Sequence, residues 1–183
     1  YNEHICEYSN ILHEKMSIGW HYLLANKYIS GTEKDLKDYI YKGLVDLVLH
    51  EVGHTLGLRH NFKASSIFNI SQLSDKNFTS KHGISGSVMD YHPVNLFDKG
   101  HTVFQTMPGP YDDWVIEYGY KQLTPYNHLE QLNNIAAKSN HPLLVYGTDE
   151  DTFGRSSRGV DPLSSLWDMS NDPIGFYDYQ IDL

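Results

Sequence analysis

Between Glu7 and Asn26 the apolar residues Tyr8, Ile11, Leu12, Met16, Trp20, Leu23 and Leu24 recur at spacings of three and four, one face of an amphipathic helix. Gly31 and Thr32 interrupt the pattern. Thr32, with Asp35 three residues later, resembles a capping box with Asp in the usual Glu position. A second helical stripe of Leu36, Ile40, Leu44, Leu47 and Val48 runs on through His54 to Leu56. Gly57 is its natural stop, since glycine tolerates the left-handed conformation that ends helices. That helix would span roughly 24 residues, about 36 Å long. From Leu58 to Pro110 no period holds, and Ser, Asn, Gly and Pro recur, which predicts long ordered loops with short elements. A stretch of that length usually carries function. Pro110 opens a short helix, Tyr111 to Tyr118, closed by Gly119. Thr124 and Pro125 open another, to about Lys138. Leu143 to Tyr146 reads as a strand, and Asp161-Pro162 and Asp172-Pro173 break up the turn-rich remainder. The predicted class is mainly α, within α+β. It forms one domain over residues 1–183: a helical segment (residues 1–57), a loop segment (residues 58–110) and a C-terminal segment of helices and loops (residues 111–183).

Composition narrows what such a domain does. There are 14 Lys and Arg against 23 Asp and Glu, a net charge of −9, which argues against a nucleic-acid partner. No apolar run approaches the roughly 18 residues of a membrane span, and no signal peptide lies within the chain. The chain opens on Tyr1 rather than Met, which reads as a piece of a longer product. Cys6 is the single cysteine, so no internal disulfide and no multi-cysteine zinc ribbon is available. The histidines stand out: there are 11 of them.

Three of those histidines form a pattern. Residues 50–60 read His-Glu-Val-Gly-His-Thr-Leu-Gly-Leu-Arg-His. His50 and His54, at i and i+4, share a helix face and can reach one Zn²⁺ at about 2.0–2.1 Å. Were the helix to continue, His60 would lie about 9 Å farther along and about 240° around the axis. A chain reversal at Gly57 brings it back to the same metal. Three neutral imidazoles leave a fourth position open, the arrangement of a catalytic rather than a structural zinc. Glu51 sits beside the metal without having to bind it. It suits a general base that takes a proton from the attacking water and passes it to a leaving amine. From the chain's own residue frequencies, chance yields this pattern on the order of one time in ten thousand, so coincidence is set aside.

The pattern resembles the metzincin metalloendopeptidase signature, whose other hallmark is a methionine-containing turn beneath the metal. Ser87-Val88-Met89-Asp90-Tyr91 fits that turn. The resemblance implies that Met89 is a hydrophobic floor and not a ligand, and that Tyr91 approaches the metal or the oxyanion. HEVGHTLGLRHNFKAS (residues 50–65), SVMDY and GPYDDWVIEYGY (residues 109–120) together look like the catalytic, Met-zincin domain of large bacterial zinc-dependent metalloproteases. The resemblance extends over about residues 35–183. It implies a catalytic fragment with a long active-site helix, a Met-turn and a helical C-terminal subdomain. It also implies one Zn²⁺, a protein or peptide substrate and an exported protein: secreted, periplasmic or cell-surface. Asn61 departs from the Asp of reprolysins and the Glu of astacins at the same place. The β-sheet that precedes the active-site helix in metzincins, whose edge aligns a peptide by strand addition, is largely absent from this sequence.

Other features have plainer readings. Asp149, Glu150 and Asp151, with Asp161, offer oxygens for Ca²⁺, but match no EF-hand spacing and read better as a solvated acidic turn. Asp46 is a candidate acceptor for the N–H of a ligand imidazole, with a solvent-facing carboxylate the simpler reading. His82, His92 and His101 read as surface histidines, Cys6 as a packed or tag-adjacent thiol, and Tyr111, Trp114 and Tyr118 as core. Three rival functions remain open at this point. One is a gluzincin-like site with Glu117 as third ligand. Another is a zinc-stabilised binding domain that has lost proteolysis. The third is a zinc amidase acting on a non-protein amide such as peptidoglycan. The sequence is silent on oligomeric state.

Overall fold

A computed structural model describes residues 6–154 and 161–182. Residues 1–5 of the predicted helical segment, and 155–160 and 183 of the C-terminal segment, lie outside the described residues. Helix α1 spans Tyr8–Ala25 and helix α2 Glu33–Thr55. The Thr32 capping box forms as the sequence predicts: Asp35 N donates to Thr32 Oγ1 and Thr32 N to Asp35 Oδ2. Tyr8 lies against His50, and Trp20 against Tyr39, so the two helices run antiparallel. Tyr39 Oη ties them with a 2.9 Å bond to the Met16 carbonyl.

The face that α2 buries differs from the one its apolar pattern selects. Of the apolar stripe, Leu36, Ile40, Leu44 and Val48 are 40–57% exposed, and only Leu47 packs against the core. The buried column is Tyr39, Gly43, Asp46, His50 and Gly53. Both rows have helical spacing. The second is covered by Tyr8, Met16 and Trp20 of α1 and by Met89 and Phe104 of the following loops.

Those loops contain more helix than their composition suggests: short helices α3 (Ile70–Leu73) and α4 (Lys76–His82) and a 3₁₀ turn at Ala64–Ile67. Helix α5 (Pro110–Tyr120) runs through Gly119 instead of ending there. Helix α6 occupies His128–Ala136, starting later than Thr124-Pro125 implies and ending in 3₁₀ geometry at Ala137–Asn140. The predicted strand at 143–146 does not form. Pro142–Leu144 is a 3₁₀ turn, since proline fixes a helical φ and His141 caps the turn by accepting from Leu143 N. Helices α7 (Asp149–Phe153) and α8 (Pro173–Ile181) complete the chain, and no strand occurs among the described residues.

Buried hydrophobic residues form two clusters. The larger joins Tyr8, Leu12 and Leu23 of α1 to Tyr39, Phe62, Tyr91, Val94 and Phe104. The smaller joins Phe68, Leu73, Ile84, Met169 and Phe176. Between them they clamp the loops that run from His60 to Tyr91.

Candidate metal centre

On α2 the His50 and His54 rings lie 4.8 Å apart between centroids. Gly57 then takes φ +86°, a conformation costly for any residue with a Cβ, and the chain reverses. The reversal is locked by bonds from Gly57 N to the His54 carbonyl and from Leu58 N to that of Gly53. It returns His60 to 5.5 Å from the His50 ring and 4.8 Å from that of His54.

Each ring is oriented through its Nδ1. That of His50 lies 2.7 Å from the Val88 carbonyl, that of His54 3.0 Å from the Leu58 carbonyl, and that of His60 3.3 Å from Asp149 Oδ1. An acceptor at every Nδ1 selects the tautomer protonated there and leaves each Nε2 with a lone pair. The Nε2 atoms of His54 and His60 are buried with no hydrogen-bond partner. Orphaned buried acceptors cost roughly 1–3 kcal/mol each, and a cation bound by both removes that cost. Burial pulls the His50 pKa down to about 3. Burial also lowers that of His60, against the opposing pull of Asp149. Both rings are therefore neutral near pH 7, as ligation of a metal requires. On donor type, tautomer and convergence the three histidines fit a zinc ion.

Met89 is fully buried in a turn at Val88–Met89. Its Sδ presses on the backbone of Gly53, where a Cβ would collide with it. The glycine inside the His-Glu-Val-Gly-His pattern is thus a packing requirement. Asp112 of α5 holds the turn from outside, its carboxylate accepting from Ser87 Oγ (2.6 Å), Val88 N (2.8 Å) and Gly109 N (2.7 Å). Asn61, following the third histidine, acts as a clamp. Its N donates to the Met89 carbonyl, its Nδ2 to that of Val145, and its Oδ1 accepts from Gly147 N.

Beside the histidines are Glu51, exposed at the surface of α2, and Tyr91, whose ring lies 4.9 Å from that of His60. Burial, followed by contact with Cys6, holds the Tyr91 phenol well above its ordinary pKa, so it is a hydrogen-bond donor. Cys6, read as a packed or tag-adjacent thiol, packs against the larger apolar cluster and also stands among the three histidines. Its Sγ is 3.5 Å from His50 Nε2, 3.3 Å from Tyr91 Oη and 3.6 Å from Glu51 Oε1.

Other expectations are redistributed. Asp46 is buried, not solvent-facing, and serves no ligand imidazole: Oδ2 accepts from Gln105 N, and Oδ1 lies 3.8 Å from Nδ1 of the likewise buried His92. His82 and His101 are exposed as read. Glu117 is paired with Lys121 and Lys138 and is not among the converging ligand atoms. The carboxylates considered for calcium have protein partners: Asp149 and Glu150 meet Arg59, Asp151 caps α7, and Asp161 pairs with Lys63. Sequence reasoning misses the roles of Asp149, Asp112 and Tyr8 at the site. Asp112 lies within the GPYDDW block, whereas only tertiary contact brings in Asp149 and Tyr8.

The Met-zincin family profile matches residues 32–183 of this chain. No curated protein and no solved structure matches it.

Proposed function

The chain belongs to the Met-zincin family, and on that premise we propose that it hydrolyses peptide bonds at a zinc ion held by His50, His54 and His60. The observation that carries this reading is the shared tautomer of the three imidazoles, whose Nδ1 atoms all have acceptors while the buried Nε2 atoms of His54 and His60 have none. Zinc, when bound, lowers the pKa of water towards neutrality and polarises a carbonyl oxygen.

The remaining steps belong to the protein. Glu51 adjoins a ligand on α2 and faces the opening, where it takes a proton from the attacking water and delivers it to the departing amine. Tyr91 donates its phenolic hydrogen to the substrate carbonyl oxygen as that oxygen becomes anionic, a donor held in place before reaction by the stacked Tyr8 ring. The Val88–Met89 turn is, in this reading, the family's Met-turn, with Met89 setting the height of the floor on which the imidazoles rest. Asp149 orients His60 as Val88 orients His50.

Glu51→Ala separates the roles. Zinc stoichiometry should stay at one per chain while cleavage of denatured casein falls by about 10²–10⁴. Undiminished cleavage would remove Glu51 from the mechanism.

A further inference from the structure

The Cys6 thiol is accounted for neither by the family match, which begins 26 residues later, nor by the mechanism above. Its Sγ and one ligand nitrogen from each of His50, His54 and His60 all lie within 4.8 Å of one another. A tetrahedral zinc with a bond of about 2.3 Å to sulfur and about 2.0–2.1 Å to nitrogen separates those two donors by about 3.6 Å. Cys6 Sγ and His50 Nε2 are 3.5 Å apart.

A second observation, independent of the cysteine, points to the same spot. His60 is only 7% exposed, and its Nε2, like that of His54, is unpartnered and faces the shared centre. Nor is Cys6 there by a loose excursion of the chain. Two residues on, Tyr8 is completely buried and stacked among His50, Tyr91 and Trp167, at 4.6, 4.9 and 5.5 Å between ring centroids. Glu7 N donates to Tyr91 Oη across 3.2 Å. These contacts pin the segment just beyond the thiol.

We propose that Cys6 is the fourth protein ligand of the zinc and that this arrangement is a closed form of the site, from which substrate is excluded. The inference rests on the zinc reading above. On binding, the thiol gives up its proton to solvent and its sulfur takes the position that the three histidines leave. The consequence is wider than one blocked position. Tyr91 Oη is engaged by Cys6 and Glu7, and Glu51 Oε1 faces the same sulfur, so the base and the oxyanion donor are occupied together. Opening requires only that residues 6 and 7 leave, since the three histidines keep their Nδ1 partners without them.

The test uses the full chain loaded with zinc, and zinc K-edge X-ray absorption of wild type, Cys6→Ala and Cys6→Ser. One sulfur at about 2.3 Å with nitrogens at about 2.0–2.1 Å in wild type, and no sulfur in either variant at the same one-zinc stoichiometry, is the expected result. Cobalt substitution should give a thiolate charge-transfer band in wild type alone. Cleavage of denatured casein should rise at least tenfold in both variants. One bound zinc with no sulfur neighbour in wild type overturns the proposal and leaves the zinc reading standing. No bound zinc in any of the three overturns both. A sulfur ligand with equal cleavage rates overturns the closed form.

Discussion

Replacing Gly53 by alanine tests whether the Met89 side chain is pressed against α2. In an exposed helix the change would stabilise by about 0.5–1 kcal/mol, because glycine is the worse helix former. Here the new Cβ meets Met89 Sδ, with Cε and Cγ of the same side chain at 3.4 and 3.6 Å. Met89 cannot retreat with its backbone, since its N donates to Ser87 Oγ at 3.0 Å and its carbonyl accepts from Asn61 N at 2.9 Å. The thioether must leave its rotamer inside a fully buried space, an overpacking cost of about 1–3 kcal/mol. The expected net loss is about 0.5–2 kcal/mol. Urea unfolding of the zinc-loaded chain measures it, with Met89→Ala and the double variant closing a cycle. Met89→Ala alone should cost about 2–5 kcal/mol. The double variant should lose less than the sum by roughly 1 kcal/mol or more, since the Cβ then has room. Stabilisation by Gly53→Ala in the wild-type background, or strict additivity, would refute the packing argument.

Other consequences follow from the same geometry. Asp149→Ala removes the acceptor at His60 Nδ1 and should weaken zinc affinity about 10–100-fold in competition with a chromophoric chelator. Glu150→Ala, which loses only an Arg59 contact, is the control, and equal affinities in the two would dissociate Asp149 from the metal. Burial, then the neighbouring Asp90 carboxylate, pushes the Asp168 pKa up to about 7. The folded state therefore holds that proton more tightly than the unfolded chain, and the stability this supplies below about pH 4 is lost as pH rises through 7. Asp168→Asn keeps an acceptor for Ser65 Oγ. It should match wild type at pH 4 and exceed it at pH 8 by roughly 2–4 kcal/mol in thermal or urea melts; parallel pH curves would contradict the assignment.

How far the site is legible in the sequence varies residue by residue. His50, Glu51, His54 and His60 can be read because their spacing is local: one helical turn, then one glycine-enabled reversal. Met89 and Tyr91 are singled out only by resemblance. Asp112 is visible as a residue but not as a role, since its bonds to Ser87 and Val88 cross to a turn some two dozen positions earlier. Cys6 packs as read, but its place beside the histidines is not legible because a lone cysteine has no spacing to interpret. Its place follows from the burial of Tyr8, which brings the start of α1 against the end of α2 that carries His50.

Local chemistry along the chain is enough to specify the helices with strong signals, the Thr32 cap, the reversal at Gly57 and three histidines that can converge, with a carboxylate beside them. All of these arise within a few residues, where propensity, capping and 3.6-residue periodicity act. Long-range packing chose which face of α2 is buried, which groups hold the imidazole tautomers and where the Cys6 thiol stands relative to the three histidines. Hydrophobic pattern could not choose the face: α2 carries two rows of helical spacing, and the row with His50 is covered by α1 and by loops whose long-range contacts no local rule encodes. The thiol's position was settled likewise, by where α1 comes to rest once Tyr8 has found its pocket.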